Sequence, residues 1–197
     1  MKPLPESFFA RDTVVVARDL IGKVLVRKEG KNRITGWITE TEAYRGEEDL
    51  ACHCRAGRTL RTEIMYGPAG RAYVYLIYGM HWLLNVVTEG DGTPGAVLIR
   101  AVQPLEGLEI IAKRRKGQTR ENWTNGPGKL SQALNITRDF NGTNVCSAAN
   151  PLFIARGKAI LPQAVQSGPR VGLDSVPEPW RSIAWRFSVN FQGLEEL

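Results

Sequence analysis

The amino-acid sequence predicts an α+β fold, in which strands pair mostly with sequence neighbours and a few helices pack against them. Three observations carry that expectation. "RITGWITETEAY", residues 33–44, alternates with the period of a strand. "RAYVYLIYGMHWLLNVVTEGDG", residues 71–92, places two aromatic and β-branched runs either side of Gly79, the pattern of a β-hairpin. Helical periodicity is confined to a few short stretches, so strands and helices do not alternate as a parallel sheet requires.

The elements follow in order. "ARDTVVVARDLIGKVLVRK", residues 10–28, opens with Asp12-Thr13 as a helix cap, and Val14, Val15, Val16, Leu20 and Ile21 suit the helix that follows. "KVLVRK" then alternates as a strand. In residues 33–44 a regular strand puts Ile34, Gly36, Ile38, Glu40, Glu42 and Tyr44 on one face. Carboxylates following isoleucines on an inward face breach local patterning, and such breaches concentrate at functional sites. Gly79 marks the hairpin turn, and "EGDG", residues 89–92, ends its second strand. "AVLIRAV", residues 96–102, is the next strand, with Arg100 inside an apolar run. "LEGLEIIAKRRKG", residues 105–117, predicts a helix with Leu105, Leu108 and Ile111 on one side, a cationic last turn and a terminal Gly117. "NGPGKLSQALNI", residues 125–136, is a Gly/Pro loop entering a short helix. Residues 141–179 read as loops with short strands such as "PLFIAR", and "WRSIAWRFSVN", residues 180–190, as a closing strand.

The bulk numbers bound the function. A chain of 197 residues is expected to form one domain, 1–197. Its 43% hydrophobic and 23% charged residues are ordinary for a soluble globular protein. A formal charge of +6 and a pI near 9.4 point to an anionic partner, most simply nucleic acid, although an anionic membrane surface or no partner at all would also fit. Three cysteines are too few and too oddly numbered for a disulfide framework, so a reducing cytosol is expected. "MKPLPESFFARD" has no apolar run of signal-peptide length. "YVYLIYGMHWLLNVV", broken by Gly79, His81 and Asn85, falls short of the roughly 20 apolar residues of a spanning helix. A soluble, cytoplasmic protein is the expectation.

Against that basic background, residues 40–49 hold Glu40, Glu42, Glu47, Glu48 and Asp49 against a single Arg45. Glu42 is a candidate general base or acid, its pKa raised by burial and by Glu40. A solvated edge strand is the alternative. Glu47, Glu48 and Asp49 follow Gly46 and read as solvated acids in a loop or first helical turn. "CHC", residues 52–54, spaces its cysteines by one residue, whereas structural zinc sites use two to four and need four ligands. No metal is expected, and His53 is either a core or a site residue. Tyr73 and Tyr75 share a strand face, and Tyr78 points the other way just before the turn. These are hairpin packing residues, or else platforms and a wedge for nucleic-acid bases. Arg100 in a buried strand needs a partner, either a structural carboxylate, Glu42 or a phosphate. "NGPGK" is no phosphate-loop motif, but glycines at a helix start with Lys129 can receive a backbone phosphate.

These stretches together resemble one family. "ETEAY" (40–44), "EDLACH" (48–53), "YVYLIYGM" (73–80), Asn85, "GDG" (90–92), "VLIRAVQPLEGLE" (97–109), "GPGKLSQAL" (126–134) and "RVG" (170–172) stand in the order of the 3-methyladenine DNA glycosylases of the mammalian alkyladenine type. The match runs from about Arg18 to Phe187. Residues 135–169 match poorly, and nothing is carried over there. The resemblance implies a curved, mostly antiparallel sheet with a protruding hairpin and flanking helices. It implies a monofunctional enzyme of base excision repair that flips alkylated or deaminated purines out of double-stranded DNA and hydrolyses the N-glycosidic bond. It further implies a monomer, no metal or organic cofactor, no membrane and no lyase step. Glu42 would activate water, helped by Arg100 and the Val171 carbonyl. Tyr44 would stack on one face of the base, with His53 and Tyr75 on the other. Asn85 would oppose the exocyclic amine of guanine. Tyr78 would be the wedge, with Met80 beside it in the minor groove. His81 stands where the family often has tyrosine, next to that DNA contact. The competing expectation is a non-catalytic protein that binds distorted duplex, which needs no Glu42.

Overall fold

The computed structural model describes residues 1–190, and residues 191–197, the end of the expected 1–197 domain, lie outside the described residues. A short helix α1 (Glu6–Phe9) precedes α2 (Thr13–Asp19). Asp12 caps α2 as the sequence predicts, its carboxylate accepting from the Val14 and Val15 backbone N–H groups. Strands β1 (Val24–Glu29) and β2 (Asn32–Arg45) form a tight hairpin. A second hairpin joins β3 (Ala72–Ile77) to β4 (His81–Val87), and β5 (Gly95–Glu106) follows. Helices α3 (Leu108–Arg114) and α4 (Pro127–Leu134) come next, then β6 (Leu152–Ala155), β7 (Gln166–Gly168) and β8 (Arg186–Ser188).

The eight strands of the described residues lie in one antiparallel sheet of order β3-β4-β5-β2-β1-β6, with β8 added to the second half of β2 and β7 to β8. The α+β expectation holds. Pairing is less local than expected, because the long β2–β5 ladder joins strands separated by the whole β3–β4 hairpin. The helix expected from Leu105 begins only at Leu108. Glu106 still pairs with Thr35, and Gly107, at φ 76°, breaks the strand before the helix starts. Leu105 therefore packs beside a different apolar cluster, with Val24, Val26 and Phe153. The closing strand is shorter than expected, at Arg186–Ser188.

The face expected for β2 is also corrected. Ile38 pairs with Val102 and Thr41 with Ile99, leaving only Glu40–Ala101 between them. Thr39 and Arg100 thus drop out of one-to-one pairing, and each strand turns over once at this double irregularity. Ile34 and Ile38 pack in the main core, but so do Ala43, Ile99 and Val102. Thr41 points the same way, its hydroxyl donating to the Ala17 carbonyl of α2 at 2.7 Å. Glu40, Glu42 and Tyr44 therefore face away from the isoleucines.

The two sheet faces carry different contents. One holds the main core, where Leu84, Val86, Val97 and Ile99 meet Val16, Ala17, Ile111, Leu130 and Leu134 of the helices. The other holds a smaller cluster of Tyr73, Val87 and Ala96 with Cys52, Cys54, Met65 and Tyr66. Strand alternation assigns neighbours such as Ala72 and Tyr73 to opposite faces. Among the described residues no helix is long and apolar enough to cross a membrane. Because the Asp12 carboxylate satisfies two otherwise free N–H groups, Asp12→Ala is expected to lower stability by about 1 kcal/mol, read as a lower urea midpoint at unchanged m.

Candidate active site

A cavity of about 650 Å³ opens on the sheet face opposite the main helices. Alternate residues of four strands build it: Tyr44 on β2, Tyr73 and Tyr75 on β3, Leu83 and Asn85 on β4, and Leu98 and Arg100 on β5. Its further walls include Cys52, His53 and Met65, Arg115, the segment Gly126–Lys129 at the start of α4, and Val171–Leu173. Every residue expected to form the base-binding site thus lies here.

Glu42 is fully buried beside this cavity. One carboxylate oxygen accepts from the Val171 backbone N–H at 2.7 Å, and the other from the Tyr44 hydroxyl at 2.8 Å. The Arg100 guanidinium lies 3.4 Å from that second oxygen and donates to Glu40 at 3.1 Å. Burial pushes the Glu42 pKa above the ordinary carboxylate value of 4.5, against the pull of Arg100, Val171 and Tyr44. Arg186 also donates to Glu40 at 3.1 Å, so Glu40 is anchored between two arginines.

The aromatic wall is tightly coupled. The Tyr73 and Tyr75 rings are 5.2 Å apart, and the His53 ring meets Tyr75 edge-on at 4.6 Å. His53 Nδ1 is 2.9 Å from the Tyr73 hydroxyl. Burial first, then Arg61 and Arg55, lower the His53 pKa to about 4. Asn85 is buried and donates to the Tyr73 carbonyl at 3.2 Å. The "CHC" stretch sits in the apolar cluster below, with the Cys54 sulfur 3.5 Å from that of Met65. Among the described residues no group of three His, Cys, Asp or Glu side chains gathers as a metal-ligand set.

At the cavity mouth, Tyr78 and Met80 project from the β3–β4 turn, 82% and 69% exposed. Tyr78 takes φ 53°, a costly conformation for an aromatic residue, and Gly79 follows at 69°. His81 and Lys129 line the rim, with the Lys129 ammonium donating to Asn125 at 2.9 Å.

The sequence pattern of the methylpurine-DNA glycosylases matches residues 7–192. A Myxococcus xanthus protein provisionally named a 3-methyladenine DNA glycosylase is 52% identical over 174 residues, covering 88% of this chain and 84% of its own. A Methanocella arvoryzae protein of the same provisional name is 48% identical over 186 residues, covering 92% of each chain. One from Bacillus licheniformis is 46% identical over 187 residues, covering 94% and 92%. The chain belongs to the methylpurine-DNA glycosylase family.

In this glycosylase-family chain the structure also corrects one reading and adds two residues. Asp49, expected in solvent, is fully buried and clamps Arg170 through both oxygens, at 2.5 and 2.9 Å. Glu47 and Glu48 are exposed as expected, with Glu47 accepting from the Tyr66 hydroxyl at 2.6 Å. Arg170 enters the family resemblance only within "RVG", and nothing near it in sequence announces its partner. Arg61 places its guanidinium 5.2 Å from the centre of the Tyr75 ring and 3.4 Å from His53 Nε2. An arginine-rich loop without periodicity gives no sign of that contact. The expected outcome for His53 is an NMR titration midpoint near pH 4. Arg61→Ala raises that midpoint, while burial keeps it below the usual 6.5.

Proposed function

We propose that this protein is a monofunctional DNA glycosylase that flips alkylated purines out of duplex DNA and hydrolyses their N-glycosidic bond. The observation that carries the reading is Glu42, a fully buried carboxylate beside a tyrosine-walled cavity large enough to admit a purine, held by Tyr44 and Val171. A carboxylate offers about four lone-pair directions, and those two donors take two, so Glu42 can still accept from a water. Arg100 and the Val171 backbone carbonyl would orient that water, and Glu42 would remove its proton as it attacks the sugar carbon.

Extrusion of the base costs a few kcal/mol, least for a damaged pair. Tyr44 would hold one face of the everted purine, His53 and Tyr75 the other, and Asn85 would meet a normal guanine's amine on the cavity floor. The exposed Tyr78 would fill the gap in the duplex with Met80 and His81 beside it, and Lys129 would take a backbone phosphate. The formal charge of +6 supports an anionic polymer as partner. The protein would act as a monomer in the cytoplasm, on nucleoid DNA.

A cationic purine is already a good leaving group. A neutral one, such as hypoxanthine, needs a proton. His53 titrates far below neutrality and has none to give, and the Tyr44 hydroxyl already donates to Glu42. Deaminated and etheno bases would therefore be slow substrates.

Two tests follow. Glu42→Gln should cut single-turnover excision by about 10²- to 10⁴-fold while lesion-duplex binding persists, with free base released from intact strands by the wild type. A wild-type protein that binds lesions but releases no base would instead support the non-catalytic reading. Because Glu42 must be ionised and its pKa is raised, the wild-type rate should climb with pH through a midpoint above 4.5. Second, duplexes carrying cationic 7-methylguanine or 3-methyladenine should be processed faster than hypoxanthine duplexes at saturating enzyme. Equal rates would overturn the assignment of a pocket without a proton donor.

A further inference from the structure

We propose that Asp49, acting through Arg170, is a positioning residue that holds two of the groups bonded to Glu42 in place. The inference rests on the reading of Glu42 as the base. The geometry is specific. Asp49 Oδ1 accepts from Arg170 Nη2 at 2.9 Å and from the Ala51 N–H at 3.0 Å. Its Oδ2 accepts from Arg170 Nη1 at 2.5 Å and from the Arg45 N–H at 3.3 Å. Arg170 donates onward to the Ala43 carbonyl at 2.9 Å and to the Trp180 carbonyl at 3.2 Å. Both side chains are wholly excluded from solvent.

The position of this pair sets what it can do. Arg170 immediately precedes Val171, whose N–H reaches Glu42. Val171 lies between β7 and β8, outside any strand ladder, and its side chain is half exposed. The Arg170 guanidinium also lies 4.8 Å from the Tyr44 ring centre and 5.2 Å from that of Trp185. Tyr44 is the other hydrogen-bond donor to Glu42. One buried cation therefore touches two of the three groups that hold Glu42: the segment carrying Val171 and the ring carrying the hydroxyl. Stability alone explains the pair poorly, since well-packed apolar residues often replace a buried ion pair at no loss. Orientation explains it better, because an arginine fork fixes a backbone segment in direction as well as distance.

The test compares wild type, Glu42→Gln, Asp49→Asn, Arg170→Lys and the double variant Asp49→Leu with Arg170→Met on one duplex carrying 7-methylguanine. Single-turnover excision, duplex Kd, the pH profile and circular dichroism are measured for each. Asp49→Asn and Arg170→Lys should lose about 10- to 100-fold in rate with Kd close to wild type. Their acidic limb should move to higher pH, because the Val171 N–H helps hold the Glu42 pKa down while Arg100, Glu40 and Tyr44 still face it. The double variant removes both buried charges, so its thermal stability should recover while its rate stays low. Recovery of rate together with stability would make the pair purely structural and overturn the proposal. So would wild-type rates and pH limbs in folded single variants, or the failure of every variant to fold. A Glu42→Gln protein with wild-type excision would sink the catalytic reading itself, independently of Asp49.

Discussion

Keeping the Glu42 carboxylate out of water is the constraint on which the arrangement of the site depends. Burying an ionised group costs several kcal/mol unless charge and hydrogen bonds compensate. The compensation here comes from three separate places: Tyr44 two residues along β2, Arg100 on the neighbouring β5, and the Val171 N–H from the segment after β7. The β2–β5 register brings Arg100 to Glu42, and the Asp49–Arg170 pair ties down the stretch that ends in Val171. A long antiparallel ladder and a long loop are thus joined at one carboxylate.

The double irregularity at Thr39–Glu40 and Arg100 makes this compatible with a well-packed core. Without it, the residues after Ile38 would keep their acids on the helix-covered face, where Ala43, Ile99 and the aliphatic residues of α2 and α4 now meet. Turning both strands over at the same point sends Glu40, Glu42, Tyr44 and Arg100 together to the other face, so the acid and its arginine stay matched. The acidic stretch in a basic protein is explained by the same pairing. Glu40 is held by Arg100 and Arg186, Glu42 by Arg100, Tyr44 and Val171, Glu47 by Tyr66, and Asp49 by Arg170. Glu42 and Asp49 are thus buried with their partners, Glu40 is partly covered, and only Glu47 and Glu48 stay at the surface.

Much of this was legible in the residues. Alternation identified β2, the β3–β4 hairpin and β5, because a period of two is a local property of the chain. Arg100 was expected to need a partner, and Glu42 is one, because a charge inside an apolar run is costly wherever it occurs. The face of Glu42 was not legible, since strand turnover is decided by pairing between β2 and β5 and leaves no mark on either strand alone. Asp49 was misread for a related reason. An acid after a glycine in a polar stretch resembles solvated loop, and its partner lies 121 residues away. Val171 and Asn85 are marked by the family resemblance alone, because a backbone amide in a loop and an asparagine in a strand carry no signal of their own.

The charge pattern of the cavity follows from the same burial. The low dielectric that raises Glu42 also lowers His53, so the carboxylate becomes a better base while the imidazole stays uncharged. The aromatic wall of Tyr44, Tyr75 and a neutral His53 then presents electron-rich ring faces, with the Arg61 guanidinium 5.2 Å from the Tyr75 ring centre. Arg61 stands outside His53, where it reinforces that neutrality. A purine carrying a positive charge would be drawn by the rings and by the carboxylate. A neutral purine would gain only from the stacking and would still lack a proton for its departure. On the proposed reading, discrimination of this kind would come from the environment as a whole, because each group's own burial and its charged neighbours together set its ionisation.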